Sequence, residues 1–581
     1  MTPFPPFDRT HLPADRTLDP TQDPTQDPTQ DRKQDRAQDS AAHERAAQFQ
    51  AARQREFATT PPIVVDPGTA ARYGARVLDP VTAMRLPGGG APSPTVYVGE
   101  RLLAQSNLRM TAPGDAVDEL SQVAAKLGVT LEPVGAPPPT SKDLGDAQSP
   151  VAELIARHWV QGVQIKPTEE NASFAVDAWP VLRGLQDNSR DAAKPLALDH
   201  LLTTAPYWAG TPYWAGTPYW AGTPYWAGTP YWAGTGAGAA EYAYPGSGGR
   251  APVHVVLPDP ALRARKVDRR PVVAVPDTGL GAHPWFEPGG SATAEVTFNG
   301  ILLGIHGPAG VDYPANPTNP LDPVIRPDTG HGTFISGLIR QLCPEADILA
   351  IPVMHDDGVV PESVLMNTLT LLLARHLEAL LTGNPDGLID VLSLSLGYYH
   401  ENPGDQLTDA PLGALLRDFG RLGVAVVCAA GNATTIAPMY PAAFASQVTG
   451  FAPDQAPLAS VGAFNPDGST VAYFSNAGTW VSTHRPGSSL VSTFPTDVTA
   501  AAQASERIEY AGRPRSTPDP DDYTSGFCTW SGTSFAAPVL AGQIAAALAA
   551  DPAIGKVDRD AAVARARAAM AATIAEWQGQ L

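Results

Sequence analysis

The sequence predicts an α/β protein whose main part is a doubly wound, mostly parallel sheet, preceded by a small α/β domain and by disordered segments. Three observations support this prediction. Apolar strand-like runs alternate with helical patterns between residues 250 and 575, polar low-complexity sequence fills the N-terminus, and a short aromatic repeat lies between the two folded parts. At 581 residues the chain is also too long for one compact core, and its length suggests about three or four domain-sized units.

Composition limits the classes of function. Acidic residues outnumber basic ones by 59 to 39, so nucleic-acid binding, which depends on a basic face, is not expected. The three cysteines, Cys343, Cys428 and Cys528, are too few and too widely spaced for a disulfide framework or a CxxC metal site. No signal-peptide core and no run of about eighteen apolar residues is visible. We therefore expect no membrane span, and a location that is cytoplasmic or otherwise unknown.

The N-terminal part contains a tail and a small domain. Residues 1–55 are polar and repeat Thr-Gln-Asp-Pro, which predicts a disordered tail. Residues 56–190 predict a small α/β domain, with strands at 95–104, 129–134 and 163–165 and helices from Asp115 to Gly128 and over 174–185. This order of elements is typical of a small open sheet with helices on one face.

Residues 191–249 are interpreted as a linker. Within it, Pro-Tyr-Trp-Ala-Gly occurs five times at a period of six, between residues 205 and 235. The Pro and Gly of every copy exclude a long helix or a central strand, and six residues are too few for a helical repeat unit. A turn-rich linker is the simpler interpretation, and an aromatic docking segment is the alternative.

Residues 250–575 carry the pattern of a parallel sheet. Apolar runs that predict strands alternate with amphipathic patterns that predict helices. The predicted strands are 271–276, 346–353, 389–396 and 424–429, and the predicted helices are 332–342, 363–381 and 412–422.

Polar motifs lie at the ends of these elements. Asp277 ends a strand, His331 opens a helix, Ser534 precedes an Ala-rich helix, and Asn432 follows the strand at 424–429. A serine hydroxyl becomes a good nucleophile when a histidine removes its proton and a carboxylate orients that histidine. A helix N-terminal N–H and an amide side chain can then bind the oxyanion that forms. These residue types therefore indicate nucleophilic attack on a carbonyl group.

The same four residues, in the order Asp277, His331, Asn432 and Ser534, resemble those of the subtilisin-like serine peptidases, or subtilases. The resemblance covers about residues 250–550. Further stretches resemble the family: Ser395-Leu396-Gly397, Tyr440-Pro441-Ala442, Phe474-Ser475-Asn476 and Pro486-Gly487. The intact Gly-His-Gly-Thr motif separates the chain from the sedolisins, which share the fold but use a Glu–Asp pair in place of the histidine.

The resemblance implies a subtilisin-like fold and a serine endopeptidase. Ser534 would be the nucleophile, His331 the base, Asp277 its orienting carboxylate and Asn432 an oxyanion donor. An extended polypeptide substrate would lie beside Ser395, Leu396 and Gly397. Met439 would line the pocket for the substrate residue on the acyl side of the cut. The alternative is a catalytically silent scaffold of the same fold that binds peptides.

Cofactors and partners are predicted more loosely. No organic cofactor is needed, and no metal-ligand cluster stands out. Many subtilases bind calcium, and Asp519, Asp521 and Asp522 could ligate it, although a solvated acidic loop is the simpler interpretation. Residues 56–190 resemble in position the propeptides that inhibit many subtilases, which predicts intramolecular inhibition, and an unrelated accessory domain is the alternative. His283, His355 and His400 are interpreted as structural.

Overall fold

The fold is described from a computed structural model of the chain. It describes residues 58–61, 63, 67–85, 90–105, 108, 110, 114–139, 144, 149–173, 175–204, 249–256, 258–286, 291–306, 325–402, 411–448, 454–500 and 503–578. The predicted disordered tail at 1–55 and the aromatic repeats at 205–235 lie outside these residues. We call residues 58–204 the N-terminal region and residues 249–578 the C-terminal region.

The N-terminal region is an antiparallel sheet with helices. Its strands are β1 (Ala75–Leu78), β2 (Thr95–Ala104), β3 (Val129–Val134), β4 (Gln161–Pro167) and β5 (Leu196–Thr204). Its helices are α1 (Pro67–Tyr73), α2 (Asp115–Lys126), α3 (Ser149–His158), α4 (Ala178–Asn188) and α5 (Arg190–Ala193). The sheet order is β3-β4-β2-β5, with β1 paired to β2. Apolar side chains of α2, α4 and the sheet form one core, so these helices lie on a sheet face as predicted.

Five elements of this region were not predicted: α1, β1, α3, α5 and β5. Of these, β5 lies inside the range 191–249 that was interpreted as a linker. The sequence of β5 has Asp199 and His200 in the middle of an apolar run, which does not look like a buried strand. Both polar side chains are nevertheless fully buried, because residues of the C-terminal region bind them. The folded segment therefore extends at least to Thr204.

The C-terminal region contains the remaining elements. The strands are β6 (Ala251–Pro252), β7 (Val272–Asp277), β8 (Ala292–Thr293), β9 (Thr297–Phe298), β10 (Ile301–Leu302), β11 (Asp347–Pro352), β12 (Val359–Pro361), β13 (Val391–Leu394), β14 (Leu396–Tyr399), β15 (Ala425–Ala429), β16 (Met439–Tyr440), β17 (Leu458–Phe464), β18 (Thr483–Pro486), β19 (Leu490–Thr493), β20 (Arg507–Tyr510), β21 (Arg513–Ser516) and β22 (Phe527–Trp530). The α-helices are α6 (His331–Leu342), α7 (Glu362–Thr382), α8 (Pro411–Arg421), α9 (Thr533–Ala549) and α10 (Arg559–Gln578).

A seven-stranded parallel sheet forms the centre of this region, in the order β18-β17-β15-β13-β7-β11-β8. Every residue of β13, β15 and β17 is buried, so helices must cover both sheet faces. Helices α6 and α9 pack together against the sheet, and α7 packs with α8. The predicted doubly wound α/β fold is confirmed.

One predicted strand divides into two. The run 389–396 was predicted as a single strand, but β13 ends at Leu394 and β14 begins at Leu396. Between them, the Ser395 side chain donates a hydrogen bond to the carbonyl oxygen of Ser534 at 2.8 Å. This contact fixes the point where the chain leaves the parallel sheet, so that β14 joins a different sheet.

That second sheet connects the two regions. The strand β5 pairs with β2 through its first half, and with β12 and β14 through its second half. All three pairings are antiparallel. Helix α3 packs against α7, and Asn367 of α7 exchanges two hydrogen bonds of 3.0 and 2.9 Å with the backbone of Val160. Helix α7 is the one described helix long and apolar enough to cross a membrane, and 61% of its most apolar window is buried within the fold.

Candidate active site

Asp277 is positioned by the centre of the parallel sheet. It is the last residue of β7, which lies between β13 and β11. Its side chain is 1% exposed, and its Oδ1 accepts a hydrogen bond of 2.7 Å from the N–H of Thr278. Because the C-terminal ends of parallel strands meet at one sheet edge, Asp277 lies where such folds bind ligands.

His331 lies directly against Asp277. It is the first residue of α6 and is fully buried. Its Nδ1 lies 2.8 Å from Asp277 Oδ1 and 3.0 Å from Oδ2. A β-carbon on Gly332 would collide with the carbonyl oxygen of Gly279, so glycine is needed for helix α6 to approach the Asp277 loop this closely.

The electrostatics of this pair suit a general base. Burial alone would lower the pKa of His331, but the charge of Asp277 and the hydrogen bond to it outweigh burial and raise that pKa above its usual value. With Nδ1 donating its proton to the carboxylate, the lone pair of a neutral imidazole is on Nε2. Nε2 is buried and has no hydrogen-bond partner among the described residues.

Ser534 lies in the first turn of α9 and is fully buried. Its Oγ donates a hydrogen bond of 3.2 Å to the carbonyl oxygen of Ser395. The rings of Trp530 and Phe535 lie 5.6 and 5.3 Å from the His331 ring, measured between centroids, so apolar side chains surround the imidazole. Backbone N–H groups in the first turn of a helix point out of its end, which makes this a favourable position for an anion.

Asn432 is held next to the start of α9. Its Oδ1 accepts hydrogen bonds of 2.9 Å from both the N–H and the Oγ1 of Thr533. These two bonds fix the amide orientation, and Nδ2 is then directed away from Thr533. Asn476 supports the same turn, because it donates to the Ala430 carbonyl oxygen at 2.9 Å and accepts from the N–H of Ala433 at 2.9 Å.

Met439 contacts the strand predicted to bind substrate. It is 4% exposed and lies in β16, which pairs with β14 antiparallel. A β-carbon on Gly397 would lie 2.7 Å from Met439 Cε, and one on Gly431 would clash with its sulfur. Met439 therefore lies between the strand Leu396–Tyr399 and the turn that carries Asn432.

The cleft between β12 and β14 is filled by the chain itself. Leu201, Leu202 and Thr203 of β5 pair with β12, and Thr203 and Thr204 pair with β14. The Thr204 N–H also donates to the Gly358 carbonyl oxygen at 2.9 Å. The predicted substrate strand, Ser395 to Gly397, is therefore covered by a segment of the N-terminal region.

Sequence reasoning missed a further acidic residue in this cleft. Asp328 is fully buried, and its Oδ1 accepts a hydrogen bond of 2.8 Å from Thr204 Oγ1. Burial raises the pKa of Asp328 to about 6, although His331, Thr204 and Arg250 act in the opposite direction. Its position three residues before His331 was the available signal, but an Asp-Thr-Gly sequence alone usually indicates a turn.

Among the described residues, the carboxylates of Asp519, Asp521 and Asp522 do not form a group of converging ligand atoms. Asp519 and Asp522 accept hydrogen bonds from N–H groups of their own loop. Within the described part of the chain, one group of three His, Cys, Asp or Glu side chains has converging ligand atoms, and it consists of His200, His400 and Glu401. One member of that group, His200, is a residue of β5.

Comparison with known proteins identifies the family. The model of the subtilase family (peptidase S8) matches residues 268–579, more than half of the chain. The serine protease AprX of Bacillus subtilis (strain 168) is 28% identical over 307 residues, which cover 48% of this chain and 57% of that protein. The match thus spans little more than half the length of that relative.

Two solved structures are similar at low identity. A cold adapted subtilisin-like serine proteinase is 21% identical, with coverage of 52% of this chain and 84% of that one and a TM-score of 0.28. Fervidolysin from Fervidobacterium pennivorans, a keratinolytic enzyme related to subtilisin, is 18% identical, with coverage of 85% and 58% and a TM-score of 0.41. From the family match, the chain belongs to the subtilase family, as the order of its motifs predicted.

Proposed function

We propose that this subtilase is a serine endopeptidase in which Ser534, His331 and Asp277 form the catalytic triad. The observation that carries the proposal is the buried Asp277–His331 pair, which leaves the imidazole Nε2 as the nitrogen able to take a proton. The proposal requires that the Ser534 hydroxyl turn from the Ser395 carbonyl oxygen, to which it now donates, toward that nitrogen. Catalytic hydrogen bonds often form only when substrate is bound.

The reaction then follows from the groups present. Ser534 Oγ attacks the peptide carbonyl carbon while His331 Nε2 accepts the hydroxyl proton. The tetrahedral oxyanion is held by the Asn432 Nδ2 and the Ser534 N–H. Collapse breaks the C–N bond, His331 protonates the leaving amine, and water hydrolyses the acyl-enzyme by the reverse proton path. Every step uses side-chain and backbone groups of the chain, so the proposal includes no organic cofactor.

The proposed substrate is an extended polypeptide. The strand β5 supports this proposal, because a peptide segment already lies between β12 and β14 as an added antiparallel strand. We also propose that the N-terminal region keeps the enzyme inactive by this contact. The covering segment, 196–204, lies beyond the range 56–190 from which inhibition was predicted.

Replacing the nucleophile tests the proposed chemistry. In the full chain, Ser534→Ala should reduce peptide hydrolysis by about 10⁶-fold, since triad members act as a unit. Any self-cleavage seen as a mass change in the wild-type chain should disappear in the variant. Ser525→Ala, an exposed serine whose hydroxyl donates to Val253, is the matched control. Activity above about a tenth of wild type in Ser534→Ala would rule out this nucleophile.

A separate variant tests the covering strand. Leu202 is fully buried between the two regions, and Leu202→Ala removes packing worth about 2–5 kcal/mol. The variant should hydrolyse a short peptide faster than the wild-type chain, because β5 leaves the cleft more often. An unchanged or lower rate in a folded Leu202→Ala chain would argue that β5 does not inhibit.

A further inference from the structure

A second charged site lies further along the same cleft. The side chain of His200, in β5, is 1% exposed and is surrounded by residues of the C-terminal region. Its Nδ1 lies 2.7 Å from Glu362 Oε2, and its Nε2 lies 2.7 Å from Glu401 Oε2. The ring of Tyr398 stacks on the imidazole at 4.6 Å, and the Tyr398 hydroxyl donates to Glu362 Oε1 at 3.3 Å.

These contacts require a cation at this position. A neutral imidazole has one N–H, so both nitrogens can donate to carboxylates only in the imidazolium. Burial would lower the pKa of His200, but Glu401 and Glu362 outweigh it and raise that pKa to about 10. Although burial acts in the opposite direction, His400 and His200 hold the pKa of Glu401 down at about 2. Without a cation, two buried carboxylates would lie side by side with no balancing positive charge, which is strongly unfavourable in a buried site.

A metal ion fits the same residues less well. The ligand atoms of His200, His400 and Glu401 lie within 4.8 Å of one another. However, His400 Nδ1 accepts a hydrogen bond of 2.9 Å from the Asn402 N–H. The proton of a neutral His400 must then be on Nε2, which leaves that nitrogen no lone pair for a metal. The positive charge in this site is therefore that of the His200 imidazolium.

The pairing of β5 with β14 defines where this cation lies along the strand. Thr203 pairs with Gly397, and His200 lies three residues before it. The side chains of His200, Leu202 and Thr204 lie on the same face of β5, because strand side chains alternate. A substrate bound in the same register would place its own side chain, three residues before the one paired with Gly397, between Glu362 and Glu401.

We propose that Glu362, Glu401 and the ring of Tyr398 form an acidic subsite that selects a Lys, Arg or protonated His side chain of an extended substrate. His200 fills this subsite in the covered chain. The inference that substrates bind in this subsite rests on the proposed function. The fit of His200 in the subsite can be tested without any catalysis.

Docking of β5 tests the subsite in the full chain. In a Ser534→Ala background, which keeps the chain intact, hydrogen exchange of the Leu201–Thr204 amides reports how often β5 opens. His200→Lys should protect these amides nearly as well as His200, whereas His200→Gln should lose protection by about 30-fold or more. His200→Glu should lose more than His200→Gln. If Lys protects no better than Gln, the side chain fills space only and the proposal is overturned.

Peptide hydrolysis tests the same site with substrates. The peptides have the sequence of residues 196–205 with position 200 varied and a fluorogenic amide at the end. For the purified Leu202→Ala chain, in which β5 should leave the cleft more often, Lys or Arg at that position should give a kcat/KM about tenfold or more above Ala. Glu401→Gln and Glu362→Gln should each remove this preference. Glu132→Gln, which removes an exposed carboxylate of β3, is the control.

The outcomes separate the two proposals. If no peptide is cleaved but hydrogen exchange ranks Lys above Gln, the proposed function fails and the acidic subsite stands. If peptides are cleaved without preference at position 200, the subsite fails and the peptidase stands. Zn²⁺ that protects β5 in the wild-type chain and not in His400→Ala would instead indicate a metal site and overturn the proposal.

Discussion

The two ends of the cleft are each built around a buried histidine, but the carboxylates are arranged differently. At one end, Asp277 binds only Nδ1 of His331. At the other end, Glu362 and Glu401 bind both ring nitrogens of His200. One carboxylate leaves a nitrogen able to accept a proton, whereas two carboxylates keep the ring protonated. The number of carboxylate partners on the ring therefore separates the proposed general base, His331, from the proposed fixed cation, His200.

The largest effect is expected when the negative charge beside His331 is removed. Asp277→Asn keeps the size of the side chain but favours the wrong imidazole tautomer, so kcat should fall by about 10⁴-fold. The pKa of His331 should fall as well, because the charge of Asp277 is what raises it. The pH profile of kcat for a short peptide measures both effects. A loss of less than about tenfold would mean that Asp277 does not orient the base.

The oxyanion donor should matter less than the triad. Asn432→Ala removes one hydrogen bond to the developing charge while His331 and Ser534 remain, so kcat should fall by about 10²–10³-fold with little change in KM. Asn465→Ala, in a surface turn where the amide donates to Thr470, serves as the control. A rise in KM at constant kcat would make Asn432 a substrate-binding residue.

The catalytic end could be predicted from sequence because its residues follow local signals. Asp277 and His331 lie at the ends of a strand and a helix that the hydrophobic pattern predicts within one or two residues. Their meeting at one sheet edge follows from the parallel sheet. The family resemblance then assigned a role to each residue.

The other end could not be predicted, because no local pattern connects its residues. Asp199 and His200 interrupt the apolar run of β5, and their partners in the C-terminal region lie more than 160 residues away in the chain. Asp199 accepts hydrogen bonds of 3.0 and 2.8 Å from the N–H and Oγ of Ser363, at the start of α7. Without those contacts, two ionisable residues inside an apolar run argue against a buried strand.

Docking of β5 into the cleft should depend on pH, because it places His200 between two carboxylates. A histidine whose pKa is raised on docking, here from its usual 6.5 to about 10, stabilises the docked state fully below pH 6.5 and loses that effect toward pH 10. Between pH 6.5 and 8.5, the docking constant of the Ser534→Ala chain should therefore fall by up to about 100-fold. Hydrogen exchange of the β5 amides, corrected for the intrinsic rate, measures this change.

Other titratable groups lie near β5, and their contribution must be separated from that of His200. His331 also has a raised pKa, but Asp277 raises it and no residue of β5 does, so docking of β5 should change the charge of His331 little. Asp328 titrates near 6 and Glu401 near 2, so both act mainly below the chosen range. His200→Gln should remove the share due to His200 and flatten the dependence. An equally steep dependence in His200→Gln would show that a group other than His200 titrates when β5 docks.

The smallest expected effect concerns the apolar pocket that Met439 is predicted to line. This pocket should select substrate side chains by their size and shape. Met439 packs between Gly397 and Gly431, so its flexible and bulky side chain should limit the pocket to small or medium apolar residues. Met439→Gly should shift preference toward Phe or Tyr by about 10-fold or more in a peptide library, in line with 1–3 kcal/mol for a misfit of methylene size. Met439→Leu, which keeps the volume, should retain the wild-type preference. If the wild-type enzyme already prefers Phe and Met439→Gly changes nothing, Met439 does not line this pocket. The preference for Lys or Arg at the subsite of Glu362 and Glu401 should be the same in the wild type, Met439→Gly and Met439→Leu. Met439 takes no part in the hydrogen bonds and the ring contact that hold His200.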